Sequence, residues 1–162
     1  MDYLSKLKHL REAKQIVENL KKEGKKIIPT NGCFDILHVG HVRYLNDAKK
    51  YGDFLIVGIN SDSSVRRIKG KNRPIIDEKA RAEVVAGLDS VDMVIIFSED
   101  TPYELIKTLE PDVLIKGGDW KEEEIVGADI VKRSGGKVLT VPYISGYSTT
   151  SIIEKIIRLY CK

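Results

Sequence analysis

Two of the chain's three histidines, His38 and His41, sit three residues apart in the run Thr30-Asn-Gly-Cys-Phe-Asp-Ile-Leu-His-Val-Gly-His41. Apolar Ile27-Ile28-Pro29 precedes this run and Val42-Arg43-Tyr44-Leu45 follows it, so it reads as strand, turn and helix start. Histidines at that spacing on a helix project from one face. Gly40 between them removes a side chain where a ligand would approach the backbone. A helix N-terminus adds unpaired N–H groups and a positive dipole end, which attract phosphate. Paired imidazoles there suit phosphoryl or nucleotidyl chemistry, donating hydrogen bonds to phosphate oxygens as charge builds. The plainer readings are a helix cap with a surface histidine, or a partial zinc site with Cys33. Zinc needs more ligands than these, and the spacing fits no standard zinc module.

Further along, Arg66-Arg67-Ile68-Lys69-Gly70-Lys71-Asn72-Arg73-Pro74 places five cations in nine residues. Solvated charge is the ordinary explanation of such a run. No aromatic residue interleaves with the cations, which argues against nucleic acid. As a mobile lid it would close over a triphosphate, with Lys69 and Arg73 the leading contacts and Arg81 reaching in from the next helix. Lys116-Gly117-Gly118-Asp119-Trp120 is either a simple turn or a nucleotide contact. In the second reading glycine exposes backbone N–H groups, Asp119 accepts from sugar hydroxyls and Trp120 covers an apolar sugar face. Ser148-Thr149-Thr150-Ser151 precedes a helical pattern, where one hydroxyl would serve as N-cap and the others exceed that need.

The elements that must carry these residues alternate. Strand patterns cover Lys26 to Thr30, Phe54 to Asn60, Val91 to Phe97, Val113 to Lys116 and Lys137 to Val141. Helical patterns cover Val42 to Tyr51, Glu78 to Leu88, Pro102 to Leu109, Glu122 to Ser134 and Thr149 to Tyr160. Alternation of this kind predicts an α/β fold: a Rossmann-like doubly wound parallel sheet of about five strands, helices on both faces. Asp2 to Lys22 reads as one amphipathic N-terminal helix ended by Gly24, with an apolar face that would pair subunits into a homodimer. The chain is read as a single domain, 1–162, with that helix in 1–24 and the α/β core in 25–162. Every polar cluster follows a strand, so all converge where open α/β sheets bind ligands.

Composition excludes little but agrees. At 162 residues, 42% hydrophobic and 31% charged, the sequence describes an ordinary globular protein with a net charge of +3. It shows neither an apolar run of membrane-spanning length nor a signal-peptide pattern, so a cytoplasmic protein is expected. Two cysteines, Cys33 and Cys161, form no disulfide framework. The P-loop and dinucleotide-binding glycine motifs are absent.

His38-Val39-Gly40-His41 resembles the His-x-Gly-His signature of a nucleotidyltransferase superfamily. Thr30 to His38, Asn60-Ser-Asp-Ser-Ser-Val-Arg-Arg67, Lys69-Gly70, Arg73-Pro74, Phe97 to Pro102 and Lys116 to Asp119 narrow the resemblance. As an ordered set they are similar to the D-glycero-β-D-manno-heptose 1-phosphate adenylyltransferase family over nearly the whole chain. The resemblance implies ATP and a sugar 1-phosphate as substrates, ADP-heptose and pyrophosphate as products, and Mg²⁺ bound mainly through the phosphates. It implies a separate kinase to make the sugar 1-phosphate. His38, His41 and Lys69 would then be catalytic. Asn31, Gly32, Cys33, Phe34, Gly40, Arg73, Lys116, Gly117, Gly118 and Ser148 to Ser151 would bind nucleotide, and Asp35, Asn60, Asp62, Arg81, Asp119 and Trp120 the acceptor. Glycerol-phosphate cytidylyltransferases show Arg-Thr-x-Gly-Ile-Ser-Thr-Thr where this chain has Tyr143-Ile-Ser-Gly-Tyr-Ser-Thr-Thr150. Tyr147 also stands where many heptose enzymes have cysteine. Another phosphate ester (glycerol 3-phosphate, FMN) or a non-catalytic nucleotide-binding module are the alternatives.

Overall fold

The structure, a computed structural model, describes residues 2–118 and 120–161. Twelve regular elements alternate along it: α1 (Leu10–Lys22), β1 (Ile27–Gly32), α2 (Val39–Lys49), β2 (Phe54–Asn60), α3 (Asp62–Lys69), α4 (Glu78–Ala86), β3 (Met93–Phe97), α5 (Tyr103–Leu109), β4 (Val113–Gly117), α6 (Ala128–Arg133), β5 (Lys137–Val141) and α7 (Thr149–Tyr160). All strand pairs are parallel. Period-two alternation sends Ile28, Leu55 and Val57 to one face, against Leu45 of α2 and Val85 of α4. Ile27 and Ile56 face the other way, against Val17 of α1 and Leu105 of α5. Each such fully buried side chain contributes about 1.5–3 kcal/mol. Both faces are covered, as a parallel sheet requires.

The five strands are not one ladder. β1-β2-β3 form one sheet and β4-β5 another, with β4 lying beside β1. Pro29 explains the break. The Ile27 N–H points toward the β4 side, where it donates to Asp112 Oδ2 at 2.9 Å. Two residues on, Pro29 turns the same edge to β4 and has no N–H to give. The seam is bridged by side chains instead. Tyr44 of α2 places its hydroxyl 2.5 Å from Thr30 Oγ1 of β1 and 3.5 Å from the Ile115 carbonyl of β4. Chain order runs outward from β1 to β3 and returns to β4, so the topological switch point lies at this seam.

Three other segments depart from the sequence pattern. The N-terminal helix begins only at Leu10, because Tyr3–Lys6 is a 3-10 turn and Leu7 bridges Val94 of β3. Its apolar face is packed on the sheet through Ala13 and Val17, so it offers no subunit surface. Half of the basic run is helical: Arg66, Arg67 and Lys69 close α3. Arg67 is tied to the end of β3, its Nε donating to Asp100 Oδ1 at 2.6 Å. Glu122 to Ser134 splits into a 3-10 turn and α6 at Gly127, which has φ of +88°. A Cβ at Gly127 would lie 2.6 Å from Ile106, so close packing against α5 fixes the glycine there.

Candidate active site

The turn after β1 is strained and clamped. Phe34 has φ of +48° and Ile36 +51°, and a β-branched residue seldom adopts that region. Strain of about 1–3 kcal/mol per residue persists only where surroundings over-determine it. Asp35, buried between the two, supplies the clamp. Its carboxylate accepts from Arg73 Nε at 2.7 Å and from the Ile75 and Ile76 N–H groups at 2.8 and 3.0 Å. Thr149 Oγ1 donates to the Asp35 carbonyl at 2.6 Å. Burial alone would raise the Asp35 carboxyl, but the two N–H donors and Arg73 overcome it and hold the group below its ordinary value. Arg81, fully buried, donates to the carbonyls of Cys33 (2.5 Å) and Ile76 (2.8 Å) and to Asp62 Oδ1 (2.8 Å).

That turn delivers His38 and His41 to the start of α2. The rings stack with centroids 3.8 Å apart and planes 25° apart, and Phe34 lies against His41 at 5.2 Å. His38 is the N-cap: its Nδ1 accepts from the Gly40 N–H at 3.1 Å. His41 Nδ1 accepts from the His38 N–H at 3.3 Å, completing a reciprocal capping box. An Nδ1 that accepts carries no proton, so these hydrogen bonds assign the proton of each neutral ring to Nε2. Burial, with His38 alongside, lowers His41 to about 4, and burial lowers His38 as well. Capping and donation therefore occupy opposite nitrogens of the same ring. A Cβ at Gly40 would lie 2.9 Å from His38 Nδ1 and Cε1. Glycine here leaves room for the His38 ring.

Cations gather around the turn. Lys69, Arg81 and Arg73 all act on Cys33, whose thiol is nevertheless raised by burial. Lys116 at the end of β4 is lowered by burial and feels both Cys33 and Lys69. Its ammonium lies 5.9 Å from the centre of the Trp120 ring. Exposed Lys69 ends α3 at this region, while Arg73 is held by Asp35.

Several expected contacts are engaged within the fold. Asp35 is engaged by Arg73, Arg81 pairs with Asp62, and Asn60 Nδ2 donates to Ser64 Oγ at 3.0 Å. These side chains are framework around the turn. The Gly118 N–H donates to the Val141 carbonyl at 2.9 Å, so it is not the free donor that paired glycines suggest. Ser148 and Ser151 form the capping box of α7, Thr149 holds Asp35, and Thr150 is exposed. Asp119 lies outside the described residues. Tyr44 and Tyr143 both lie against Gly117 without having been among the expected contacts, although Tyr143 opens the segment compared above with the cytidylyltransferase pattern. The one available signal for Tyr44 was its place three residues after His41 on α2. Beyond Asp62, a polar cleft of about 410 Å³ opens between the N-termini of α3 and α4, lined by Ser61, Glu78, Lys79 and Ser98 among others. Among the described residues no three His, Cys, Asp or Glu side chains gather as metal ligands would. No helix there is long and apolar enough to cross a membrane.

Residues 30–155, from the last buried residue of β1 into α7, match the cytidylyltransferase-like family. The chain belongs to that family. Among curated relatives, the bifunctional protein HldE of Geobacter metallireducens is 56% identical over 96% of this chain and 32% of its own length. HldE of Nitratiruptor sp. is 54% identical over 92% of this chain and 31% of its own length. The chain thus spans about a third of the curated relatives it matches. Among solved structures, the lipopolysaccharide core biosynthesis protein of Thermoplasma volcanium is 34% identical, with a TM-score of 0.60 over 77% of this chain and all of that one. Pantoate-beta-alanine ligase of Francisella tularensis shares the fold, at a TM-score of 0.59 over 94% of this chain and 78% of that one. Its 18% identity extends the comparison no further.

Proposed function

We propose that this cytidylyltransferase-like chain is an adenylyltransferase, joining ATP and D-glycero-β-D-manno-heptose 1-phosphate into ADP-heptose and pyrophosphate. The stacked pair of His38 and His41, each with its proton on Nε2, is the observation that carries this reading. A phosphate monoester is already anionic at neutral pH, so the acceptor needs no general base. Its oxygen attacks the α-phosphorus in line, a new P–O bond forms, and the bond to the β-phosphate bridging oxygen breaks with release of pyrophosphate. Two neutral donors stabilise charge on the equatorial and leaving oxygens, and Lys69 neutralises it further. Arg73 adds positive charge from a fixed place. Asn31, Gly32, Cys33 and Phe34 line the nucleotide cleft, with Lys116 and Gly117 across the seam.

Asp35 is the single carboxylate in the turn and already accepts three hydrogen bonds. The residues therefore fit a Mg²⁺ ion held by phosphate oxygens rather than by protein ligands. When bound with ATP, such an ion supplies charge neutralisation to the triphosphate. The polar cleft beside Asp62, with hydroxyls and carboxylates on its walls, suits a hydroxyl-rich acceptor. The sugar 1-phosphate comes from a kinase, for which the bifunctional relatives, of which this chain spans about a third, have room in the same polypeptide. α7 presents Ile156, Ile157, Leu159 and Tyr160 to solvent, a face suited to a second copy.

Incubation with ATP and the heptose 1-phosphate should release pyrophosphate and give ADP-heptose by mass spectrometry. Glycerol 3-phosphate and FMN should be poor acceptors and CTP a poor donor. Faster turnover with either alternative acceptor would reassign the substrate. ATP binding by calorimetry without pyrophosphate would make the chain a binding module.

A further inference from the structure

The connection from β5 to α7 lays an aromatic ring on a glycine shelf. Tyr143 Cε1 lies 2.8 Å from where a Cβ at Gly117 would stand, and Cε2 lies 2.7 Å from the same position at Gly118. The ring occupies the volume that these two glycines leave free. Tyr44 Cε2 approaches the same Gly117 position at 3.2 Å, so the two tyrosine rings meet in the space this glycine leaves free. Gly118 has φ of +103°, which favours glycine there a second time. The outer side of Tyr143 is open, the residue being 72% exposed. Trp120 Nε1 stands 3.4 Å from the Gly118 Cβ position, with Lys116 beside its ring. The far end of the same connection reaches the histidines, since Tyr147 Cβ lies 3.4 Å from the Gly40 Cβ position. A segment of five residues thus runs from the glycine shelf to the phosphate end of the site.

We propose that Tyr143 is the platform for the nucleotide base and a determinant of purine over pyrimidine. The inference rests on the nucleotidyl-transfer reading of the site. An exposed ring fixed from behind by backbone loses little freedom when a second ring stacks on it, and a fused purine covers more of it than a pyrimidine. Base–aromatic stacking is sequence-tolerant but scales with ring overlap, and its loss weakens binding about 5- to 100-fold.

Tyr143→Ala should raise KM for ATP about 5- to 100-fold, leave KM for the sugar phosphate unchanged and narrow the ATP:CTP preference. Tyr143→Phe should behave as wild type, and Tyr143→Leu, which covers the shelf without a π-face, should behave as Tyr143→Ala even if the alanine variant misfolds. Calorimetry with a non-hydrolysable ATP analogue, and the emission of Trp120, the only tryptophan, read base binding without turnover. Wild-type binding of the analogue, with no pyrophosphate released from ATP itself in the presence of the sugar phosphate, would count against the transfer reading alone. An unchanged Kd in Tyr143→Leu, or equal weakening of ATP and CTP analogues, overturns the platform.

Discussion

His38 Nδ1 and His41 Nδ1 each accept a main-chain N–H from the other's immediate surroundings, at 3.1 and 3.3 Å, while the two rings stack. One pair of side chains thereby finishes the helix N-terminus and keeps a donor on each outer nitrogen. The two roles are separable. Asparagine is a good N-cap, and its carbonyl oxygen replaces the Nδ1 acceptor but not the Nε2 donor. His38→Asn should melt close to wild type while kcat falls about 10²–10³-fold, as should His41→Ala in rate. Retention of kcat in either variant removes that ring from the chemistry.

The same geometry sets a pH dependence. His41 lies at about 4, below its ordinary value of 6.5, because burial and His38 disfavour its charged form. The native state therefore prefers the neutral ring. That preference contributes stability fully above the unfolded value and is lost as pH falls toward the folded one. Melting temperature should decline between pH 6.5 and 4 more steeply in wild type than in His41→Gln. Parallel curves would show that another group governs acid unfolding.

Asp35 has a fully buried side chain paired with Arg73, whose side chain is 16% exposed. Removing one partner of such a pair leaves a charge uncompensated, at about 3–5 kcal/mol. Asp35→Ala also orphans the Ile75 and Ile76 N–H groups and frees the turn carrying Phe34 and Ile36. Urea unfolding should show a loss on that scale, with activity reduced in parallel. A shift below about 1 kcal/mol would mean the turn holds its shape without the clamp.

Gly40→Ala tests whether ring placement matters more than helix stability. Alanine stabilises a helix by about 1 kcal/mol relative to glycine, yet its Cβ would meet the His38 ring at 2.9 Å. The expected result is an unchanged or higher melting temperature with kcat lowered about 10²-fold, the scale for a misplacement near 1 Å. Wild-type kcat in this variant would assign the glycine some other role.

Much of the architecture was legible because it depends on periodicity. Ile27-Ile28, Phe54 to Ile59 and Met93 to Phe97 are apolar on both faces, which a covered parallel strand needs and little else tolerates. α3 was hidden because Ser64 and Val65 are its only buried residues, so its charges masked a weak apolar period. The N-terminal helix was overextended for the opposite reason. Leu4 and Leu7 continue the spacing of Leu10, Ile16, Val17 and Leu20, and only the tertiary bridge of Leu7 to Val94 ends it. At the site, the histidines were readable from type and spacing. That Asp35 pairs with Arg73 and Asp62 with Arg81 was not, since a charged residue in a polar loop looks alike whether it faces a ligand or a buried partner. Pro29 was visible but its consequence was not, because which neighbour loses the hydrogen bond depends on strand order.

That missing N–H leaves the boundary between the strand blocks held by side chains instead of a ladder. His38 and His41 ride on one block and Lys116 with its glycines on the other, joined there by side chains of Tyr44 and Asp112. A change in the gap between the two blocks would leave every main-chain rung of both ladders intact.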